Sequence, residues 1–237
     1  MANANTEVAQ ARAARIAGAM YLITMATAIF GESFVRGSLI VRGDATQTAQ
    51  NIIGAEQLFR ISIATDLVTF TGVLVLVWAL YVLLRPVDRS LAILAAFFRL
   101  VEVAIHYVAT LFSLVALMLL GGADHLKAFD SGQLYSLARV AISAQGAGLN
   151  LGFVLLGLGS TFFAYLLLKS RYVPKALAAL GVFASLLLVV SSLAVIVLPK
   201  IVAPYQLAVT APMGLFEITL GFWLLLRGAN VKSRSAA

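Results

Sequence analysis

The chain contains no cysteine, which removes disulfides, thiolate metal sites and cysteine nucleophiles at once. The redox compartment stays open. Charge is also scarce: only 11% of the 237 residues are Asp, Glu, Lys or Arg. Soluble domains carry about 25%, so this chain has too few charges to coat a water-facing globule. Histidine occurs twice, at His106 and His125, which is thin material for a histidine metal centre. There is no HExxH motif, no serine–histidine–acid arrangement and no glycine-rich phosphate loop after a strand.

What the chain does have is apolar. Hydrophobic residues make up 62% of it, and its mean hydropathy is +0.99. Several apolar runs exceed the ~20 residues needed to cross the hydrocarbon of a bilayer. The expected fold is therefore an all-α integral membrane protein, a bundle of about six transmembrane helices. The expected spans are residues 16–34, 58–84, 90–120, 134–168, 176–198 and 207–226. They form a single transmembrane domain over 15–228, with a flexible N-terminus at 1–14 and a basic tail at 229–237. No length remains for a separate soluble domain. Arg12 and Arg15 before an apolar stretch resemble a signal peptide. No good cleavage site follows, however, and Glu32 and Arg36 come next, so a retained helix is expected.

The connections carry their own signals. Asp44-Ala45-Thr46-Gln47 reads as a capping box, opening a short amphipathic helix through Ile53 at the membrane surface. Ala144, Gly148 and Gly152 stand four apart and read as a close-packing surface. Pro212 predicts a kink in the last span. Trp78 and Trp223 read as interfacial anchors. No twenty-residue motif recurs between the halves.

The formal charge is +7, but the basic residues sit mostly in tails and short loops. That distribution speaks for membrane topology and against nucleic acid. Arg12, Arg15, Arg85, Arg89, Lys169, Arg171, Lys175, Arg227, Lys232 and Arg234 fall on one side. Arg36, Arg42, Lys127 and Lys200 fall on the other. The positive-inside rule puts both termini in the cytoplasm, with the protein in the plasma membrane.

Eight ionisable residues lie within the expected spans: Glu32, Arg60, Asp66, Arg99, Glu102, His106, Arg139 and Glu217. Each costs roughly 2.5–3.5 kcal/mol at membrane depth unless it is paired or wetted. Arg99, Glu102 and His106 are spaced three and four apart, on one helix face. Gly18, Tyr21, Met25, Ala28 and Glu32 make a small or polar stripe on the first span. Ser62, Asp66 and Thr69 do so on the second, and Thr210, Gly214, Glu217 and Gly221 on the sixth. These stripes are expected to converge. The expected pairing is Arg99 with Glu102 and one of Asp66 or Glu217, and Arg60 with Glu32. Four acids against three bases leave one excess negative charge.

Particular strings also resemble a known family. They are Arg15-Ile16-Ala17-Gly18, Phe34-Val35-Arg36-Gly37-Ser38-Leu39-Ile40-Val41 and Leu58-Phe59-Arg60. Asp66-Leu67, Arg89-Ser90-Leu91-Ala92 and Ala96-Phe97-Phe98-Arg99-Leu100-Val101-Glu102 follow. Tyr172-Val173-Pro174-Lys175 and Glu217 before Leu224-Leu225 complete the set. In order and spacing this resembles the prokaryotic multi-pass membrane family known as domain of unknown function 4386, over roughly residues 15–228. The resemblance implies an integral membrane protein and carries over no activity, ligand or cofactor. Its pattern has Gly-Leu-His in the fourth span, where this chain has Gly157-Leu158-Gly159.

Three readings of the charges stand open. In the preferred one, the buried cluster binds or transports a small polar or cationic solute, or a proton, from the non-cytoplasmic side. In the second, a structural or accessory protein uses its intramembrane charges only to fix helix packing. The third is an intramembrane enzyme using Glu102 and His106 as metal ligands or as acid and base. No cofactor or resident metal is expected, and the one certain partner is the lipid bilayer.

Overall fold

The computed structural model describes residues 2–202 and 205–231. Among these residues there is no strand. Helix α1 spans Ala2–Ala28, passes into a π-helix over Ile29–Arg36 and ends in one α turn, Gly37–Leu39. Then come α2 (Ala45–Gly54), α3 (Glu56–Leu84), α4 (Arg89–Leu120) and α5 (Ser131–Ser170). Helices α6 (Lys175–Val197) and α7 (Gln206–Leu226) follow, with short helical turns at Asp124–Leu126 before α5 and at Pro199–Val202 before α7. Six helices are long and apolar enough to cross a membrane: α1 with its continuation, and α3 to α7. This is an all-α membrane protein.

The side chains are sorted accordingly. Phe97, Val108, Met118, Leu215 and Leu226 are exposed, whereas Ser62, Arg99, Glu102, His106 and Ser185 are buried. Water would oppose that arrangement, but lipid accepts it. At 40 residues, α5 is about 60 Å long, twice the hydrocarbon thickness.

The spans run close to the expected ones, with two differences. The first helix starts at Ala2, and Gln10, Ala13 and Ala14 are buried. The Gln10 side-chain amide donates to the Leu83 carbonyl (2.8 Å) and to the Tyr172 hydroxyl (3.1 Å). At its other end the helix continues to Leu39 instead of stopping near 34, through the π segment. The expected tail beyond Val231, with Lys232 and Arg234, lies outside the described residues.

The chain divides into two compact units. The first comprises Met1–Met25, Thr71–Val103 and Asn150–Ala237. Small residues let its backbones touch. A Cβ on Gly18 would stand 2.4 Å from the Leu225 nitrogen and 2.7 Å from the Gly221 carbonyl oxygen, so α1 and α7 cross in direct backbone contact. Gly181 on α6 leaves room for the Phe216 ring of α7, and Gly157 on α5 packs against Ser185 and Val189 of α6. Phe98 and Phe162 stack at 6.0 Å. Asp88 caps α4, its Oδ1 accepting from the Leu91 N–H at 3.1 Å. Just past α5, Arg171 has φ +57°. That left-handed position costs a non-glycine residue about 1–2 kcal/mol.

The second unit comprises Ala26–Phe70 and Ala104–Leu149. Its core holds Val35, Leu39, Ile52, Phe59, Ile63 and Leu117. Helix α2 is the expected amphipathic helix, burying Thr48, Ala49 and Ile52. Asp44 caps it by accepting from the Gln47 N–H at 2.8 Å. The capping box is only half made, because the Gln47 side chain turns to Asn51.

Candidate functional site

Each unit holds one arginine with two acids, and they are arranged differently. In the second unit the centre is Arg36. The π segment carries both Arg36 and Glu32, and the Gly37 N–H donates back to the Glu32 carbonyl in the i→i+5 pattern. This winding keeps Arg36 inside the helix and 2% exposed. Its Nη1 donates to Glu32 Oε1 at 2.7 Å and to Asp66 Oδ1 at 3.0 Å, and its Nη2 donates to Asp66 Oδ2 at 2.5 Å. Gln145 of α5 donates to the same Glu32 oxygen at 3.2 Å. The guanidinium carbon lies 5.9 Å from the centre of the Phe59 ring. A bidentate arginine–aspartate pair with these supports is the strong form of a charge-assisted bond.

The expected pairing of Arg60 with Glu32 is therefore wrong. Arg60 is exposed and pairs with Glu56 one turn away at 2.7 Å. It lines a largely apolar cavity of about 570 Å³ with Leu117, Met118 and His125. Asp66 serves Arg36, not Arg99. The span expected over residues 16–34 leaves Arg36 in a loop. The four-residue spacing from Glu32 was the available signal, and the expected end of the span near residue 34 hid it.

Arg139 takes no part in the cluster. It is partly exposed and donates to Ser143 on its own helix at 3.1 Å. His106 is buried, with its ring 5.0 Å from Phe70. Its Nε2 lies 3.2 Å from the Leu149 carbonyl oxygen, so that nitrogen carries the proton and donates. Among the described residues no three His, Asp or Glu side chains are grouped closely enough to hold a metal ion.

In the first unit the centre is Arg99 on α4. Its Nη1 is 3.2 Å from Glu102 Oε2, and the two residues are 3% and 1% exposed. Gly159 of α5 makes the room: a Cβ there would stand 2.7 Å from Arg99 Cγ. The arginine's aliphatic stem thus fills the place that a side chain at position 159 would take. Glu217 of α7 and Tyr21 of α1 lie within electrostatic range of Arg99. The α1–α7 crossing brings those two together, since Gly221, one turn beyond Glu217, packs against Tyr21 and Leu22. Among the described residues the expected second ion pair of Arg99 is not made: Asp66 serves Arg36, and Glu217 feels Arg99 only through space.

Glu217 differs from the buried acids Asp66 and Glu102. Among the described residues it has no ion pair and no hydrogen bond, and it is only partly buried. Three residues earlier on the same face, Gly214 has no atom within 4 Å of where a Cβ would stand. The local set is one guanidinium against two carboxyl groups, with open space beside the acid that lacks a bonded partner.

Comparison with known proteins agrees with the strings noted in the sequence. An uncharacterized protein of Archaeoglobus fulgidus is 27% identical over 154 residues, covering 65% of this chain and 75% of that one. No solved structure matches. A family profile described as a domain of unknown function (DUF4386) matches residues 16–228, which takes in five of the six candidate spans whole, most of the first, and both arginine–acid clusters. The chain belongs to the DUF4386 family.

Proposed function

We propose that this membrane protein binds a small cationic or strongly polar solute at the Arg99–Glu102–Glu217 cluster, and moves it from the non-cytoplasmic side. The observation that carries this reading is Glu217. A carboxyl group in a spanning helix that lacks a bonded partner is costly, unless something arrives to neutralise it. A solute cation or a proton does so, and the gap beside Gly214 gives it room. Tyr21 supplies a hydroxyl from the opposite helix.

The Arg36 cluster favours the second reading, for its own unit only. Its charges are paired with one another and with Gln145, so they act as struts that fix the π segment against α3. With the basic loops inside, both termini are cytoplasmic and the protein sits in the plasma membrane.

The test is a melting screen of the purified protein in detergent, with polar and cationic metabolites, comparing wild type and Glu217→Gln. A solute that raises the melting temperature of wild type but not of the variant supports the reading. If every stabilising solute acts equally on both, the binding site is not built on Glu217.

A further inference from the structure

We propose a second, separate binding site, for a phosphate-bearing anion, in the groove between the turn after α5 and the end of α7. The groove has a volume of about 530 Å³ and is lined by Arg171, Tyr172, Pro174, Trp223, Arg227 and Asn230 among others. It is a constructed feature. Gly228, at φ +71°, turns the chain after α7 back toward the α5–α6 turn. The Asn230 N–H then donates to the Tyr172 carbonyl at 3.0 Å. Tyr172 is buried, and its hydroxyl accepts from Gln10, which fixes the floor.

The chemistry of the lining is one-sided. It contains two arginines and no acid. Among the described residues neither Arg171 nor Arg227 has a carboxylate partner, and the one acid of the α3–α4 turn, Asp88, is engaged by Lys169 at 3.5 Å. The Arg227 guanidinium carbon lies 5.9 Å from the centre of the Trp223 ring, which limits its orientations. Arg171 holds the left-handed position that glycine takes most easily, so its side chain is kept there at a conformational cost. Paired guanidinium forks suit phosphate oxygens better than any other biological anion except carboxylate. The groove stands at the ends of two spanning helices, the depth of lipid headgroups, and a tryptophan rims it. The occupant we assign is therefore the headgroup of an anionic phospholipid. Lys175 stands just past Pro174, and Lys232 and Arg234 follow in the sequence.

The experiment uses the full chain in nanodiscs of phosphatidylcholine, with or without phosphatidylglycerol, and native mass spectrometry of the lipids it retains. The variants are Arg171→Gly with Arg227→Gln, and as control Arg85→Gln with Arg89→Gln. The control removes the same charge from the neighbouring α3–α4 turn. Arg171→Gly also relieves the left-handed backbone, so misfolding does not explain a loss. Retention of phosphatidylglycerol by wild type and control, with a roughly tenfold or greater loss in the groove variant, is expected from the charge-assisted bonds removed. Equal losses in both variants, or no loss in either, overturn the site. A second arm adds inorganic phosphate and glycerol phosphate in neutral nanodiscs. If these fill the groove and phosphatidylglycerol does not, the occupant is a soluble phosphate and the lipid assignment fails.

Discussion

Arg36 and Asp66, thirty residues apart in the chain, face each other through two parallel hydrogen bonds, Nη1 to Oδ1 and Nη2 to Oδ2. Both are buried. Removing one partner leaves the other charged and desolvated. Asp66→Asn and Arg36→Gln are each expected to cost about 3–5 kcal/mol of stability, measured by denaturation in detergent. The apolar double variant Arg36→Met with Asp66→Leu is expected to recover a large part of that loss. Additive losses in the double variant would mean that the two side chains are not coupled.

A second expectation concerns Gly159, whose missing Cβ is occupied by the stem of Arg99. Gly159→Ala overpacks this contact and is expected to cost about 1–3 kcal/mol. Gly214→Ala places its methyl in open space and should be close to neutral. Melting curves of the two variants check this directly. Equal effects would mean that Arg99 has room to move aside.

The six spans were legible because long apolar runs leave a chain no soluble alternative. The cost of buried charge likewise singled out Arg99, Glu102 and Glu217 before any contact was known. What stayed hidden was rotation and winding. The π segment keeps Arg36 in the helix, and no periodicity in residues 29–36 announces it. Arg60 carries the same charge, yet its face of α3 is exposed and it settles on Glu56. Gln145 was missed because a lone amide on a long helix gives no signal until its neighbour is known.

Asp88 gives a pH prediction. The Leu91 amide, and then the Lys169 ammonium, hold its carboxyl below the usual carboxylate range. A depressed folded pKa stabilises above the ordinary value near 4, and the effect is lost as pH falls through the folded value. The melting temperature of wild type should therefore exceed that of Asp88→Ala at neutral pH, and the gap should narrow as pH falls below about 4. A gap that persists unchanged into acid would show that the cap acts without its charge.

The lack of cysteine makes topology easy to test, because single introduced cysteines have no background. Lys169→Cys and Asp88→Cys should react with a membrane-impermeant maleimide only after the cells are opened. Asp124→Cys and Asp130→Cys should react in intact cells. The reverse pattern would invert the proposed orientation, and with it the side from which a solute enters.

The most direct test of the central claim is the reactivity of Glu217→Cys in the otherwise cysteine-free protein. A polar space beside Glu217 predicts that a small cationic methanethiosulfonate modifies the residue from the non-cytoplasmic side, and that a stabilising solute slows the reaction. Leu215→Cys, on the exposed apolar face, should react slowly with the same reagent in membranes. If Glu217→Cys is inert to the cationic reagent in folded protein, or reacts no faster than Leu215→Cys, then Glu217 faces no solute space and the binding account is wrong.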